Sequence, residues 1–287
     1  MKGLTIIVPV FNEEDSISST FSKINDTLKK TDINYEIIAI DDGSDDSSFN
    51  LLREHDFIIV EKHKINKGYG ASIKTGLRLA KFDSICITDA DGTYPNEKIS
   101  ELYDVYIEDK LDMLVASRTG ENVSYPFIKK IPKFFIIKLA NYITNYSIPD
   151  INSGLRIFDK ALALKFFHLY PNGFSFTTTI TLSLLCAEYK VDFYPIDYFA
   201  RIGKSKIKPI KDTIGFFKLL LKMSMYFKPF KFFTPVIIVF ALISIVVLIR
   251  DIFYLNDLTQ SGIFFPVFTF LFFSIGLIAD MIIKRTS

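Results

Sequence analysis

This 287-residue chain predicts an α/β fold. Its mostly parallel sheet carries helices on both faces and is followed by interface helices and two transmembrane helices. Three observations predict it. First, five short apolar or β-branched runs, Leu4–Val10, Tyr35–Ile40, Phe57–Val60, Ser84–Thr88 and Met113–Ala116, alternate with helical patterns at 14–30, 46–55, 68–81 and 95–109. Continuous apolar strands separated by helices belong to parallel sheets that are covered on both sides. Second, polar turns follow three of the strands, at Pro9–Glu14, Asp41–Asp46 and Asp89–Pro95. Open α/β sheets bind ligands at the carboxyl ends of their strands. Third, Phe232–Ile249 and Gly262–Ile283 are apolar apart from a few residues. Each is close to the ~20 residues that cross a bilayer as a helix.

Hydrophobic residues make up 49% of the chain, and the excess lies at the C-terminus. The mean hydropathy of +0.26 is high for a wholly soluble protein. The net charge of +2 gives no basic surface for nucleic acid, so no such partner is expected. Lys222, Lys228 and Lys231 precede the first span, and Lys284 and Arg285 follow the second. The loop between them, with Arg250, Asp251 and Asp257, has no basic excess. The positive-inside rule then predicts a multi-pass protein of the cell membrane, with the N-terminal domain and both termini cytoplasmic. Pro235 and Pro266 fall near the span starts, where a missing N–H costs least. Asp280 is near the exit of the second span and can reach the interface. Thr5–Val10 is too short for the apolar core of a signal peptide. Cys86 and Cys186 read as reduced core residues, and His55, His63 and His168 have no metal-ligand spacing.

Segments 126–146 and 208–230 mix Phe, Ile and Leu with lysines. They read as basic amphipathic helices in a membrane interface, with ordinary surface helices as the alternative. The expected domains are 1–207, including 126–146, then a juxtamembrane helix at 208–231, then the two spans at 232–287.

The chemistry concentrates at Asp89-Ala90-Asp91. Two carboxylates at i and i+2 on a strand end repel each other, so a positive partner is expected. A hard divalent cation with positions open for phosphate oxygens is the usual one. An exposed acidic turn is the alternative. The loop Asp41–Asp46 holds four aspartates, more than helix capping needs, and Asp42 is placed to accept from a base or ribose hydroxyl. Lys67–Ile73 is a poor dinucleotide fingerprint, because Ile73 replaces the third glycine and the turn lies in the third crossover. Gly68 and Gly70 are expected to let a helix start close to a neighbouring backbone. Together these loops suit a nucleoside diphosphate, with its pyrophosphate on a cation at Asp91.

The ordered motifs Val8–Glu14, Asp41-Asp42-Gly43-Ser44, Asn66-Lys67-Gly68 and Asp89–Pro95 resemble those of family-2 glycosyltransferases, which have the Rossmann-like GT-A fold. Asp150–Arg156 and Gly203–Lys206 resemble the polyprenyl-phosphate glycosyltransferases, including dolichyl-phosphate mannose synthases. The resemblance covers about residues 3–210, and the two C-terminal spans match the membrane-anchored bacterial type. It implies inverting, metal-dependent transfer from a nucleotide diphosphate sugar to a polyprenyl phosphate, undecaprenyl or dolichyl, at the cytoplasmic membrane face. Carried over by residue, it puts Pro9, Phe11, Glu13 and Asp42 around the base and ribose. Asp89 and Ala90 would touch the sugar nucleotide, Asp91 with Asp89 would hold Mg²⁺ or Mn²⁺, and Arg201 and Lys206 would meet phosphates. The chain departs from the pattern at Thr93, where some mannose synthases have Gln. It departs again at Arg201, two rather than three residues before Gly203, and at Lys204, where Glu is common.

A phosphate monoester has a second pKa of about 6, so such an acceptor needs little help from a base. Asp150 then either positions the acceptor or takes a residual proton, or else caps the turn Asp150–Gly154. Arg118 either holds the lipid phosphate bidentately or makes a surface ion pair. Two further functions stay open: a membrane glycosyltransferase acting on a glycan hydroxyl, and a non-enzymatic nucleotide-sugar-binding assembly partner. A homo-oligomer also stays open, since two lightly polar spans can pack between subunits.

Overall fold

The computed structural model describes residues 2–120, 130–199 and 209–286. Its sheet has seven strands: β1 (Leu4–Val10), β2 (Tyr35–Asp41), β3 (Ile58–Lys62), β4 (Ser84–Ile87), β5 (Met113–Ser117), β6 (Arg156–Asp159) and β7 (Val191–Pro195). The spatial order is β3-β2-β1-β4-β6-β5-β7. Only β6 runs against the rest, antiparallel to both β4 and β5. The first five strands fall within two residues of the apolar runs. The last two have no such signal: β6 is Arg-Ile-Phe-Asp, and β7 is buried only at its first residue and ends in proline.

The reversal of β6 shapes the site. Its first residue, Arg156, pairs with Ile87 of β4 and Val115 of β5. Residues 150–155 therefore enter the sheet at the carboxyl ends of those strands. β7 pairs parallel to β5, with Pro195 opposite Ser117, so the chain after β7 emerges at the same edge.

Helices α1 (Ile17–Leu28), α2 (Ser48–Arg53), α3 (Tyr69–Leu79) and α4 (Ile99–Glu108) fill the first four crossovers. Leu4, Ile6, Val8 and Val10 share one core with Phe21 and Ile24 of α1 and Leu102 of α4. On the other face Ile7 lies against Gly76 of α3. The strand period of two thus sends alternate β1 side chains into two cores. Helices α5 (Lys130–Thr144), α6 (Lys160–Lys165) and α7 (Phe176–Cys186) follow. Every residue of α7 is buried, although it contains four threonines and a serine. Thr179, Thr181 and Ser183 hydroxyls donate to the carbonyls four residues back, which lets them sit in a dry interior.

Arg156 is fully buried at the start of β6. Its guanidinium donates to the Ser153 carbonyl from Nε at 3.1 Å, to the Thr177 carbonyl at 2.9 Å and to Thr181 Oγ1 at 2.8 Å. These bonds tie the loop before β6 to α7. Burial draws its pKa down to about 10, so it stays charged at neutral pH.

The described chain divides into two compact units, Met1–Phe216 and Phe217–Ser287. Helix α8 (Pro209–Phe227) is followed in the second unit by α9 (Pro229–Arg250) and α10 (Gln260–Thr286). Pro229–Leu255 and Gln260–Arg285, of 27 and 26 residues, are long and apolar enough to cross a membrane. Phe240 interlocks α9 with Phe265, Phe268 and Phe272 of α10 at centroid distances of 5.9, 6.3 and 5.3 Å. Ile238, Leu242, Val246, Phe270 and Ile278 face outward, so the pair is apolar all round, as suits lipid. Between the helices Asp251 is fully buried. It accepts from Arg250 Nη2 at 2.7 Å, the Thr259 amide at 2.9 Å and Thr259 Oγ1 at 2.6 Å. Near the far end Asp280 pairs with exposed Lys284 at 2.8 Å, consistent with an interfacial position.

Replacing Arg156 with Met takes its donors from the buried Ser153 and Thr177 carbonyls and the Thr181 hydroxyl, and a buried acceptor left unpaired costs ~1–3 kcal/mol. The expected loss is about 3 kcal/mol, measured as the shift in a denaturant midpoint for the detergent-solubilised protein.

Candidate functional site

The loop after β4 is fixed from three sides. Ser16 Oγ and Thr20 Oγ1 of α1 both donate to the Ala90 carbonyl, at 2.7 and 3.1 Å. Thr88 Oγ1 is 2.8 Å from Asn96 Oδ1. Asp91 is buried, and its Oδ1 accepts from the Thr93 hydroxyl at 2.6 Å and the Thr93 amide at 3.2 Å. Thr93 therefore orients Asp91. Asp89 lies against Gly154, where a Cβ would come within 2.7 and 2.8 Å of its two oxygens. The Gly154 amide donates to the Tyr94 hydroxyl at 2.6 Å. The Asp89–Asp91 turn is thus packed into the protein and is not an exposed acidic turn.

The donor chemistry of this turn fits a hard divalent cation. Among the described residues no group of three or more His, Cys, Asp or Glu could hold a metal. Magnesium-type sites need only one or two carboxylates, because water and substrate phosphates complete the shell. Asp89 and Asp91 supply that number.

The first two loops form one interlocked structure. The Asn12 amide donates to Ser44 Oγ at 3.0 Å, the Glu13 amide to Ser48 Oγ at 2.9 Å, and the Asp45 amide to Asn12 Oδ1 at 2.9 Å. Asn12 adopts the left-handed conformation, with φ of 51°. Pro9, Phe11 and Glu13 are half-buried along this rim.

Asp42 is held by the protein itself. It is buried, and its carboxylate accepts from the Lys67 and Gly68 amides at 2.9 and 2.7 Å and from His63 Nδ1 at 2.7 Å. An ionised carboxylate only accepts, so Nδ1 carries the hydrogen. His63 Nε2 is 2.9 Å from Thr75 Oγ1. Asp42 thus holds the turn before α3. Neighbouring Asp41 keeps Oδ2 buried without a hydrogen bond, 3.6 Å from Lys62 Nζ.

The glycines before α3 behave as expected. Gly68 has φ of 99°, and a Cβ there would meet the Asn172 carbonyl oxygen at 2.5 Å. Gly70 is pressed onto the Pro171 carbonyl. Helix α3 therefore starts directly on the backbone of residues 171–173.

Arg118 and Asp150, read separately from the sequence, meet each other. Arg118 Nε and Nη2 donate to the two Asp150 oxygens at 2.7 and 2.9 Å, and the Arg118 amide adds a third bond at 3.1 Å. Their side chains are only 13% and 1% exposed, which makes this a buried bidentate pair rather than a surface one. Asp150 Oδ1 also accepts from the Asn152 amide at 3.1 Å, so it caps its own turn as well. The guanidinium stands 5.1 Å over the Tyr198 ring. The Phe199 amide donates to the Thr93 carbonyl at 3.0 Å, which brings the chain after β7 to the Asp91 loop. Arg201 and Lys206 lie outside the described residues.

Three residues of this region carry no charge pattern that singles them out in the sequence. Arg156 sits below the 150–155 loop, Tyr94 supports Gly154, and Tyr69 opens α3. The Tyr69 hydroxyl is buried without a hydrogen-bond partner. Burial raises its pKa well above the ordinary value and the nearby Asp89 charge raises it further, so it stays a neutral phenol.

The family model described as Glycosyl transferase family 2 matches residues 5–167 of the chain. The chain belongs to that family. This family-2 glycosyltransferase is 31% identical over 161 residues to the uncharacterized glycosyltransferase YkcC of Bacillus subtilis. That match covers 54% of the chain and 49% of the relative, so the chain spans about half the relative's length. It is 24% identical to the dolichyl-phosphate hexose transferase of Haloferax volcanii, over 77% of the chain and 93% of the relative. Among solved structures it resembles glucosyl-3-phosphoglycerate synthase from Mycobacterium tuberculosis, in complex with Mn²⁺, UDP and phosphoglyceric acid. The TM-score is 0.60 at 14% identity, covering 77% of this chain and 78% of that one. The fold of this family-2 glycosyltransferase is therefore the GT-A fold that its motifs suggested.

If the Arg118–Asp150 pair acts as a unit, Arg118→Lys and Asp150→Asn are strongly non-additive. A double-mutant cycle on unfolding free energy is expected to give a coupling of about 2 kcal/mol.

Proposed function

We propose that this enzyme transfers a sugar, with inversion, from a nucleotide diphosphate sugar to a polyprenyl phosphate on the cytoplasmic face of a membrane. One observation carries the reading. The segment Asp150–Gly154 touches the buried cation Arg118 at one end and the carboxylate of Asp89 at the other. It couples a place for an acceptor phosphate to a place for a donor diphosphate. The name of the Haloferax relative and the Mn²⁺ and UDP bound in the structural neighbour support the two halves of that assignment.

In this reading Pro9, Phe11 and Glu13 border the base and ribose, and Asp42 holds the turn that closes their pocket. Asp89 and the Ala90 backbone meet the sugar nucleotide. Asp91, oriented by Thr93, holds Mg²⁺ or Mn²⁺ together with Asp89, and Arg201 and Lys206 meet phosphates. A bound cation of this kind offsets charge on the departing diphosphate. The acceptor's phosphate oxygen forms the new bond to the anomeric carbon. The bond from that carbon to the diphosphate breaks, and its electron pair leaves with the nucleotide.

Asp150 has both oxygens committed to Arg118, so its part is to aim the guanidinium at the acceptor phosphate. An acceptor that is already ionised needs no more than that. A glycan hydroxyl would need a free base, and the buried pairing of Asp150 argues against that alternative.

The two apolar helices give the enzyme the same membrane as its acceptor. Each CH₂ of a polyprenyl tail is worth roughly 0.8 kcal/mol in the bilayer, so the tail stays there. The exposed lysines Lys138 on α5 and Lys218 and Lys222 on α8 suit anionic headgroups. In this arrangement 1–207 is the catalytic domain, 208–231 the juxtamembrane helix and 232–287 the anchor.

The test is radiolabel transfer by the detergent-solubilised protein, with Mg²⁺ or Mn²⁺, polyprenyl phosphate and a panel of UDP- and GDP-sugars. Label entering the organic phase from one donor is expected. No transfer from any donor, with nucleotide binding intact, overturns the lipid-phosphate acceptor. Asp91→Ala is expected to abolish transfer in a protein that still folds and inserts, and near-normal metal-dependent activity would remove the metal assignment. Deleting 232–287 should lower activity on long-chain lipid more than on a short soluble isoprenyl phosphate; equal losses would count against membrane recruitment.

A further inference from the structure

Tyr69 is pinned more tightly than a residue on a helix's first turn usually is. Gly68 and Gly70 on either side of it rest on the carbonyls of Asn172 and Pro171. Its ring stacks on Phe174, with centroids 5.9 Å apart and planes at 18°. Phe174 is itself half exposed and shields the tyrosine from solvent. The hydroxyl is driven inward, toward Asp89, where it is buried and makes no hydrogen bond of regular geometry in the absence of ligand. A buried hydroxyl without a partner is costly, and native structures rarely keep one without a use.

We propose that Tyr69 reads the sugar of the donor, its hydroxyl and the Asp89 carboxylate together binding one hydroxyl of the transferred pyranose. The inference rests on the nucleotide-sugar reading above and adds to it the group that recognises the sugar. The chemistry is complementary. The sugar hydroxyl donates to Asp89, which only accepts, and accepts from the tyrosine O–H. Gly154 makes room for the carboxylate on the opposite side. Sites built in this way reject analogues that lack the hydroxyl, because buried polar groups are then left unpaired. Tyr94 does not compete for this part, since its hydroxyl already accepts from the Gly154 amide.

The experiment compares the full-length protein with Tyr69→Phe in detergent with Mn²⁺. Calorimetry measures binding of UDP, GDP, UDP-glucose, UDP-N-acetylglucosamine and GDP-mannose. Tyr69→Phe keeps the ring and its stacking on Phe174. It is expected to weaken the preferred nucleotide sugar ~10-fold while the bare nucleoside diphosphate stays within about twofold. The melting temperature of the ligand-free variant is expected to be unchanged or higher, because the hydroxyl it loses makes no hydrogen bond of regular geometry. Equal weakening of sugar nucleotide and nucleoside diphosphate, no change in either, or a lower melting temperature would each overturn the proposal. If the unmodified protein binds none of the five probes, the nucleotide-sugar reading fails and takes this inference with it. If it binds and transfers while Tyr69→Phe is silent, only the inference fails.

Discussion

Charge crowding at one sheet edge is the constraint on which the rest of this molecule depends. Asp89, Asp91 and Asp150 converge where β4, β5 and the start of β6 end, in surroundings that are largely closed to water. Carboxylates gathered in this way repel each other and lose hydration. The protein answers with two arginines of different kinds. Arg118 grips Asp150 directly, in the planar two-bond geometry that a guanidinium favours. Arg156 grips no carboxylate in its hydrogen-bonding shell; it spends its donors on carbonyls and a hydroxyl and supplies positive charge from below. A further positive charge, from a divalent cation, would complete the balance at Asp91.

Rigidity follows from the same constraint. A carboxylate in a site of this type has to be held before the ligand arrives, or the ordering cost falls on binding. Hydroxyls do most of the holding here: Ser16 and Thr20 on Ala90, Thr93 on Asp91, and Ser44 and Ser48 on the amides of the first loop. Short hydroxyl side chains suit this work because little rotamer freedom is lost in fixing them.

The sheet's first five strands were legible because they are apolar on both faces and bounded by turn residues. The motif loops were legible because aspartates at strand ends are hard to explain otherwise. What the residues alone hid was partnership. Arg118 and Asp150 are far apart in sequence, and no local pattern says that they pair. The protein partners of Asp42, two backbone amides and His63, likewise leave no mark in composition. The complete burial of helix α7 was hidden by its run of threonines, whose hydroxyls are satisfied only once the helix has formed. Tyr69 was missed because an unbonded hydroxyl is a property of packing.

The reversed strand β6 has a consequence for how such a protein can change. Since β6 runs against β5, the stretch from Arg118 to Leu155 leaves the sheet and returns to it at one edge. Its two ends are tied to each other there by the Arg118–Asp150 pair. Insertions, deletions or wholesale replacement within it need no rethreading of the sheet and no shift in the register of any strand. Its two ends, at Arg118 and just before Arg156, stay anchored beside the reacting groups. Under the proposed function, exchange of this stretch would vary the acceptor side while the donor side is inherited unaltered.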